Sequence, residues 1–366
     1  MLDRCLTYFY RKSFISNPRE VVLFQLVFDK TTSQKEIDKL FENYDIEREP
    51  HEFNVYLSNL LSSRKDLNIP TELRPRLTGV RRWHQFHNLT LLAQFIEYQD
   101  KLEKAGIVPV MIKGAAIRCY LPHVVRHMWD LDCYVLSKCY SQAAQIARDD
   151  GWKLLGEPKH SCDLEKGTCH LDVHNGYCSN KFAHDTLKTA KEVNLSGKVI
   201  KVPSLERLIF ILLVNAYKNL SEKYTYHSNM TWAFDLGFLL NEYKPLDLMR
   251  VVEIAVEEKC EYKIWVMLSL FSRIVPGYCF PEVNECIDAF DLVVLRKKYL
   301  GRICSSIAGR EALDFRDAVK LNKTYSLKYF KVWLKYTILR LSQKRRVFDC
   351  ISRRIGLIIL NKNNIL

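Results

Sequence analysis

Apolar residues recur at three- to four-residue intervals through "WHQFHNLTLLAQFIEYQDKLEKAG", residues 83–106, at Trp83, Phe86, Leu89, Leu92, Phe95, Ile96 and Leu102. That period predicts an amphipathic helix whose stripe packs into a core and whose end is marked by Gly106. Residues 1–105 read as a helical region, with Pro70 and Pro75 in "NIPTELRPRLTG" marking an irregular connection ahead of the long helix. The rhythm then changes. "IVPVMI" (107–112) is a short β-branched run stopped by Lys113-Gly114, "AAIRCYL" (115–121) suits a short helix, and "DLDCYVL" (130–136) alternates with period two. "YSQAAQIARDDG" (140–151) predicts a helix closed by Gly151, followed by a strand at "WKLL" (152–155) and a polar loop. Further strands are expected at "TCHLDVH" (168–174) and "GKVIKVP" (197–203). From Ser204 the helical spacing returns, with "LERLIFILLVNAYKNL" supplying a buried face.

The expected fold class is therefore α+β: a small mixed unit over 106–203, a helical region before it over 1–105, and a second helical region after it over 204–366. With 48% apolar and 12% aromatic residues the chain can bury a sizeable core. Twelve cysteines without a C-x-x-C pair, and a start that lacks an apolar signal core, lead to the expectation of a reduced, cytoplasmic protein. The longest apolar runs, 208–217 and 264–271, fall short of the ~20 residues that span a bilayer, so no transmembrane segment is expected.

The formal charge of +13 is unevenly placed. Twelve basic residues lie between Lys320 and the end against the single acid Asp349, while the preceding 319 residues are nearly balanced. In "LKYFKVWLKYTILRLSQKRR", Leu327, Phe330, Leu334, Ile338 and Leu341 form one helical stripe flanked by Lys328, Lys331 and Lys335. This pattern suits a core-packing helix with a solvated basic face. It also suits contact with an anionic membrane surface or with nucleic-acid phosphates, although no sequence-reading RNA signature accompanies it.

Side chains at i and i+2 of a strand share a face, so "WDLDCYV" sets Asp130 and Asp132 together, opposite Leu131, Cys133 and Val135. Paired carboxylates repel unless a cation lies between them. In "CHLDVH", Asp172 falls on the face of His170 and His174, opposite Cys169, Leu171 and Val173. If the two strands are neighbours, three carboxylates converge, and such oxygen-rich sets suit Mg²⁺ rather than zinc. His160, Cys162, Cys169, His170, His174 and Cys178 lie close together in sequence, but their spacings match no zinc knuckle.

An apolar strand ending in Lys113-Gly114, then Arg126, then D-x-D at Asp130 and Asp132, then D-x-H at Asp172 and His174, resembles the nucleotidyltransferase superfamily that includes DNA polymerase beta. Within it the chain looks most like a bacterial group with the order LKG, R, DxD, DxH, and the likeness covers residues 107–175. The resemblance implies a polymerase beta-like mixed sheet with helices and one or two Mg²⁺ ions on Asp130, Asp132 and Asp172. Asp172 would bridge to a second ion or serve as base. Lys113, Gly114 and Arg126 would hold the nucleotide triphosphate, with ATP the default. His174 would orient a carboxylate; Asp235, an acid on the otherwise apolar helix "TWAFDLGFLL", is expected from its own sequence to face the cleft from the third region. Ala115 stands where the wider superfamily has a serine hydroxyl. The implied reaction moves a nucleoside monophosphate to a hydroxyl of an unidentified small-molecule, glycan-precursor or protein acceptor. The alternatives are the same chemistry on an RNA or tRNA end, and a catalytically degenerate binding module of the same fold.

Overall fold

The computed structural model describes residues 18–29, 34–64, 67–156, 161–175, 178–195, 197–221, 230–274 and 279–290. The basic segment from Lys320 onward, with the helix expected over 327–341, lies outside the described residues. All described residues except Ser221 belong to one unit made of 12–220 and 224–290.

Four helices come first: α1 (Pro18–Phe28), α2 (Gln34–Phe41), α3 (His51–Ser63) and α4 (Leu73–Lys104). Pro75 is not part of a connection but sits in the first turn of α4, where a missing amide hydrogen costs no intrahelical bond. The α4 stripe is buried only over its second half, at Leu92, Phe95 and Leu102. Trp83, Phe86 and Leu89, expected in the core, are 56%, 72% and 46% exposed. Periodicity reports that a helix has an apolar face, and only the neighbouring elements decide how far that face is covered.

The mixed α+β unit follows as β1 (Val110–Ile112), α5 (Lys113–Tyr120), β2 (Asp130–Tyr134), α6 (Tyr140–Asp149), β3 (Lys153–Gly156), β4 (Ser161–Lys166) and β5 (Cys169–His174). These strands form one sheet in the order β1-β2-β5-β4-β3. β2 and β5 are parallel, which requires the crossover through α6, and the other neighbours are antiparallel. Strand β4 falls where a polar loop was expected. Its alternation puts Cys162 and Leu164 in the core and Asp163 on the other face, a pattern concealed by the four polar or charged residues among its six.

Then come α7 (Asn180–Lys188), the hairpin β6 (Lys191–Leu195) and β7 (Lys198–Val202), and helices α8 (Leu205–Ser221), α9 (Thr231–Glu242), α10 (Leu248–Glu257), α11 (Glu261–Ile274) and α12 (Pro281–Asp288). The Ser179 hydroxyl caps α7 by accepting from the Phe182 amide at 3.0 Å. An aromatic core joins the early helices to the late ones: the Tyr56 ring of α3 stacks on Phe234 of α9 at 4.2 Å, and Phe24 of α1 meets Phe234 and Phe271 edge-on. Side-chain to backbone hydrogen bonds add to this packing. The Tyr98 hydroxyl of α4 donates to the Ala143 carbonyl of α6 at 2.9 Å, and the Tyr120 hydroxyl of α5 donates to the Pro203 carbonyl at 2.6 Å. Among the described residues no helix is long and apolar enough to cross a membrane.

Candidate active site

The two acid-bearing strands are adjacent and in register. Asp132 pairs across the sheet with Asp172, Asp130 with His170, and Tyr134 with His174. Leu131, Cys133, Leu171 and Val173 fill the core beneath, so the polar positions of both strands rise on the opposite face. There Asp132, Asp172 and His174 bring one ligand atom each within 4.8 Å of one another, a set able to hold a metal ion. His174 Nε2 lies 2.8 Å from Asp132 Oδ1 and 4.0 Å from Asp172 Oδ2. It is therefore one of the possible ligands as well as a hydrogen-bond partner of the Asp132 carboxylate. Asp130 begins β2, exposed to solvent on the same face and outside that close set.

Lys113 completes the cluster. Its ammonium pairs with Asp132 and lies 3.4 Å from His174 Nε2. Burial by itself would lower the Lys113 pKa, but Asp132, with Asp130 and Asp172 behind it, raises it, so the side chain stays charged. In the same way burial would raise Asp132, and the Lys113 charge and the His174 hydrogen bond hold it below the usual carboxylate range. Lys113 has a left-handed backbone, φ +50°, at the junction of β1 and α5. For a residue other than glycine that conformation costs about 1–3 kcal/mol.

Asp172 differs from Asp132. Burial, a side-chain hydrogen bond with Asp163, and the charges of Asp132 and Asp163 push its carboxyl up to about 8. Asp163 stands directly across from it in the β4–β5 ladder. Asp163 was missed in the sequence reading, because "SCDLEK" sets only two apolar residues among four polar or charged ones.

Arg126 and Asp235 are found together, apart from the carboxylate set. Arg126 Nε donates to both Asp235 oxygens, at 3.1 and 3.0 Å, and its Nη1 donates to the His127 carbonyl at 3.0 Å. Asp235 is buried on α9, with the Tyr56 hydroxyl 3.5 Å away. Burial pushes the Asp235 carboxyl up and the guanidinium opposes it; because arginine stays protonated, the two stand as an ion pair. Arg126 also explains Gly114. A Cβ on residue 114 would come within 2.3 Å of Arg126 Nη1, so the glycine leaves room for the guanidinium against the first turn of α5.

The irregular segment between α5 and β2 is held by amides that the sequence did not single out. Asn59 of α3 donates to the Val125 carbonyl at 2.6 Å and accepts from the Val125 amide at 3.1 Å, while Asn88 of α4 donates to the Arg126 carbonyl at 2.7 Å. All three are buried contacts or nearly so, and they fix the chain just before it enters β2. The cysteines and histidines that raised a zinc reading are separated by the same alternation: Cys162 and Cys169 lie in the core, and His170 and His174 lie on the open face.

A family model described as an uncharacterised nucleotidyltransferase matches residues 51–276. None of the curated proteins compared with the chain matches it. Similar solved structures include the antibiotic-resistance factor ANT(2'')-Ia in complex with adenylyl-2''-tobramycin, at 14% identity over 47% of this chain and 99% of that one, TM-score 0.37. A nucleotidyltransferase-like antigenic protein of Paracoccidioides brasiliensis is 13% identical over 55% of this chain and 92% of that one, TM-score 0.33. A tRNA nucleotidyltransferase complexed with a primer tRNA and an ATP analogue is 14% identical over 71% of this chain and 99% of that one, TM-score 0.22.

Proposed function

The chain belongs to the uncharacterised nucleotidyltransferase family, and from that premise we propose that it transfers a nucleoside monophosphate from a nucleotide triphosphate to an acceptor hydroxyl on the β2–β5 face. The observation that carries this reading is the in-register pairing of Asp132 with Asp172, with His174 and Lys113 gathered on the same face. Two carboxylates and an imidazole, with Asp130 beside them, are a donor set that suits a divalent cation, and the oxygen majority favours Mg²⁺ or Mn²⁺. Asp132, Asp172 and His174 would hold the ion, with Asp130 completing its oxygen ligands. When bound, the ion supplies charge to polarise the phosphoryl oxygens.

The chain's own groups supply the rest. The acceptor oxygen bonds to the α-phosphorus, the bond from that phosphorus to the bridging oxygen breaks, and pyrophosphate leaves with the electron pair. The acceptor proton passes to a carboxylate on this face, and Asp172, whose carboxyl is pushed up to about 8, would receive it in its ionised form. Lys113 gives a fixed positive charge for the phosphates. Arg126 is committed through Nε to Asp235 and through Nη1 to the His127 carbonyl, so it bounds the first turn of α5 beside Gly114, and Nη2 is the nitrogen that would be offered to a phosphate.

Purified protein incubated with Mg²⁺, labelled nucleotide triphosphates and a cell extract is expected to label a discrete acceptor and release pyrophosphate. Asp132→Asn is expected to abolish labelling, and Asp172→Asn to slow it by about 10²–10⁴-fold, both without loss of fold by circular dichroism. Undiminished labelling by Asp132→Asn would rule out the site.

A further inference from the structure

The exposed side of the first half of α4 carries a second surface beside the carboxylate face. Trp83 and Phe86 are exposed there, and Trp129, the residue directly before Asp130, is 50% exposed. The Trp83 ring lies parallel to that of His87, with centroids 5.2 Å apart. The two tryptophans are joined through a pair of buried histidines. Trp83 meets His84 edge-on at 4.6 Å, His84 meets His127 at 4.7 Å, and His127 meets Trp129 edge-on at 4.5 Å. The Nδ1 atoms of His84 and His127 are 3.1 Å apart, so one ring donates to the other. Burial lowers both pKa values, to about 4 for His84 and about 3 for His127, which keeps the pair neutral and closed at ordinary pH. Two exposed indoles on a rigid, buried mount form a built stacking surface rather than loose side chains.

The charge around it selects the occupant. From Leu73 to Ile96, α4 contains Arg74, Arg76, Arg81 and Arg82 and no acid. Arg76 is spent on Glu47, and Arg81 reaches the His123 carbonyl at 3.4 Å, while Arg82 is exposed next to Trp83. Exposed aromatic faces with an exposed arginine next in sequence to one of them suit nucleobases joined by phosphates, whose bases stack and whose charge the arginine neutralises. A cationic acceptor would meet like charge on this helix.

We propose that the Trp83–Trp129 face receives the unpaired end of a single-stranded nucleic acid, presenting its terminal hydroxyl to the carboxylates that begin one residue beyond Trp129. The role as acceptor platform rests on the transfer reading above. The binding itself does not.

The test titrates the full-length protein, followed by tryptophan fluorescence, with a short single-stranded oligonucleotide, with the matching nucleoside monophosphate and with a neutral oligosaccharide. The oligonucleotide is expected to quench and bind most tightly. Trp83→Ala is expected to weaken it roughly 5- to 150-fold, as loss of one stacked base does, with Trp83→Phe recovering most of the affinity. Arg82→Gln is expected to reduce the salt slope by about one. Thermal stabilisation by Mg²⁺ with nucleotide triphosphate is measured on the same samples and should be unchanged in Trp83→Ala. If that stabilisation is absent from the wild type while the oligonucleotide still binds through Trp83, the platform stands and the transfer reading falls. Equal oligonucleotide affinity in wild type and Trp83→Ala overturns the platform. So does binding of the monophosphate as tight as that of the oligonucleotide, binding of the oligosaccharide alone, or a concentration-dependent dimer that Trp83→Ala dissolves without affecting oligonucleotide binding.

Discussion

At the scale of single residues, the surroundings of Asp172, whose side chain hydrogen-bonds with that of Asp163, favour a proton on its carboxyl. The Asp172 carboxyl is raised to about 8, above the ~3.9 of an unfolded aspartate, so between those values the folded chain binds more protons than the unfolded one. Stability from this group is therefore full in acid and is lost as pH rises toward 8. Ion-free protein is expected to melt at a higher temperature at pH 6 than at pH 8.5, and Asp163→Asn should flatten that difference by removing the second carboxylate. Parallel melting curves for the two proteins would show that Asp163 does not hold the proton. Metal ligation displaces the same proton, so Mg²⁺ affinity measured by calorimetry should rise over this pH range, and rise less in Asp163→Asn. Gly114 gives a second residue-scale expectation. A methyl there collides with Arg126 Nη1, whose own position is fixed by Asp235 and the His127 carbonyl, so Gly114→Ala should destabilise by about 1–3 kcal/mol in chemical denaturation. In sequence Gly114 stood out as a contact to the nucleotide triphosphate. That the group approaching it is an arginine 12 positions on, from the far end of an irregular segment, was not legible there.

At the scale of elements, the Arg126–Asp235 pair ties the segment before β2 to α9. Both side chains are largely buried, so removing one partner leaves the other uncompensated. Arg126→Leu is expected to cost about 3–5 kcal/mol, whereas Arg126→Leu combined with Asp235→Leu should recover a large part of that loss in a double-mutant cycle. Additive losses would mean the pair is not coupled. Asp235 stood out in sequence as an acid on an apolar helix, and Arg126 as a basic residue ahead of D-x-D. Their pairing joins positions 109 residues apart and leaves no local trace. Strand β4 failed to show for a different reason: with four polar or charged residues in six, it buries only Cys162 and Leu164, too few to announce a period of two.

At the scale of the whole molecule, a ligand that binds only the folded chain raises its stability by an amount set by concentration over affinity. Mg²⁺ with the preferred nucleotide triphosphate at 100 times its dissociation constant should add about 2.7 kcal/mol, read as a rise in melting temperature. Asp132→Asn should lose that rise. With a net charge of +13, any binding of polyanions is expected to weaken as salt rises, and the arginines of α4 lie within the described unit. Which nucleotide gives the largest rise assigns the base preference, which no side chain named above reads.

The sequence by itself determined what depends on neighbours along the chain: the alternation that puts Asp130 and Asp132, then His170, Asp172 and His174, opposite an apolar face; the helices on either side; and the order Lys-Gly, Arg, D-x-D, D-x-H. The tertiary structure decided what depends on contacts across it. It placed β5 beside β2, set Asp163 against Asp172, committed Arg126 to Asp235, and left Trp83 and Phe86 in solvent. Periodicity fixes the direction in which a side chain points relative to its own backbone. What waits for it there is fixed only when distant segments pack, because burial and charge pairing are properties of the space between elements.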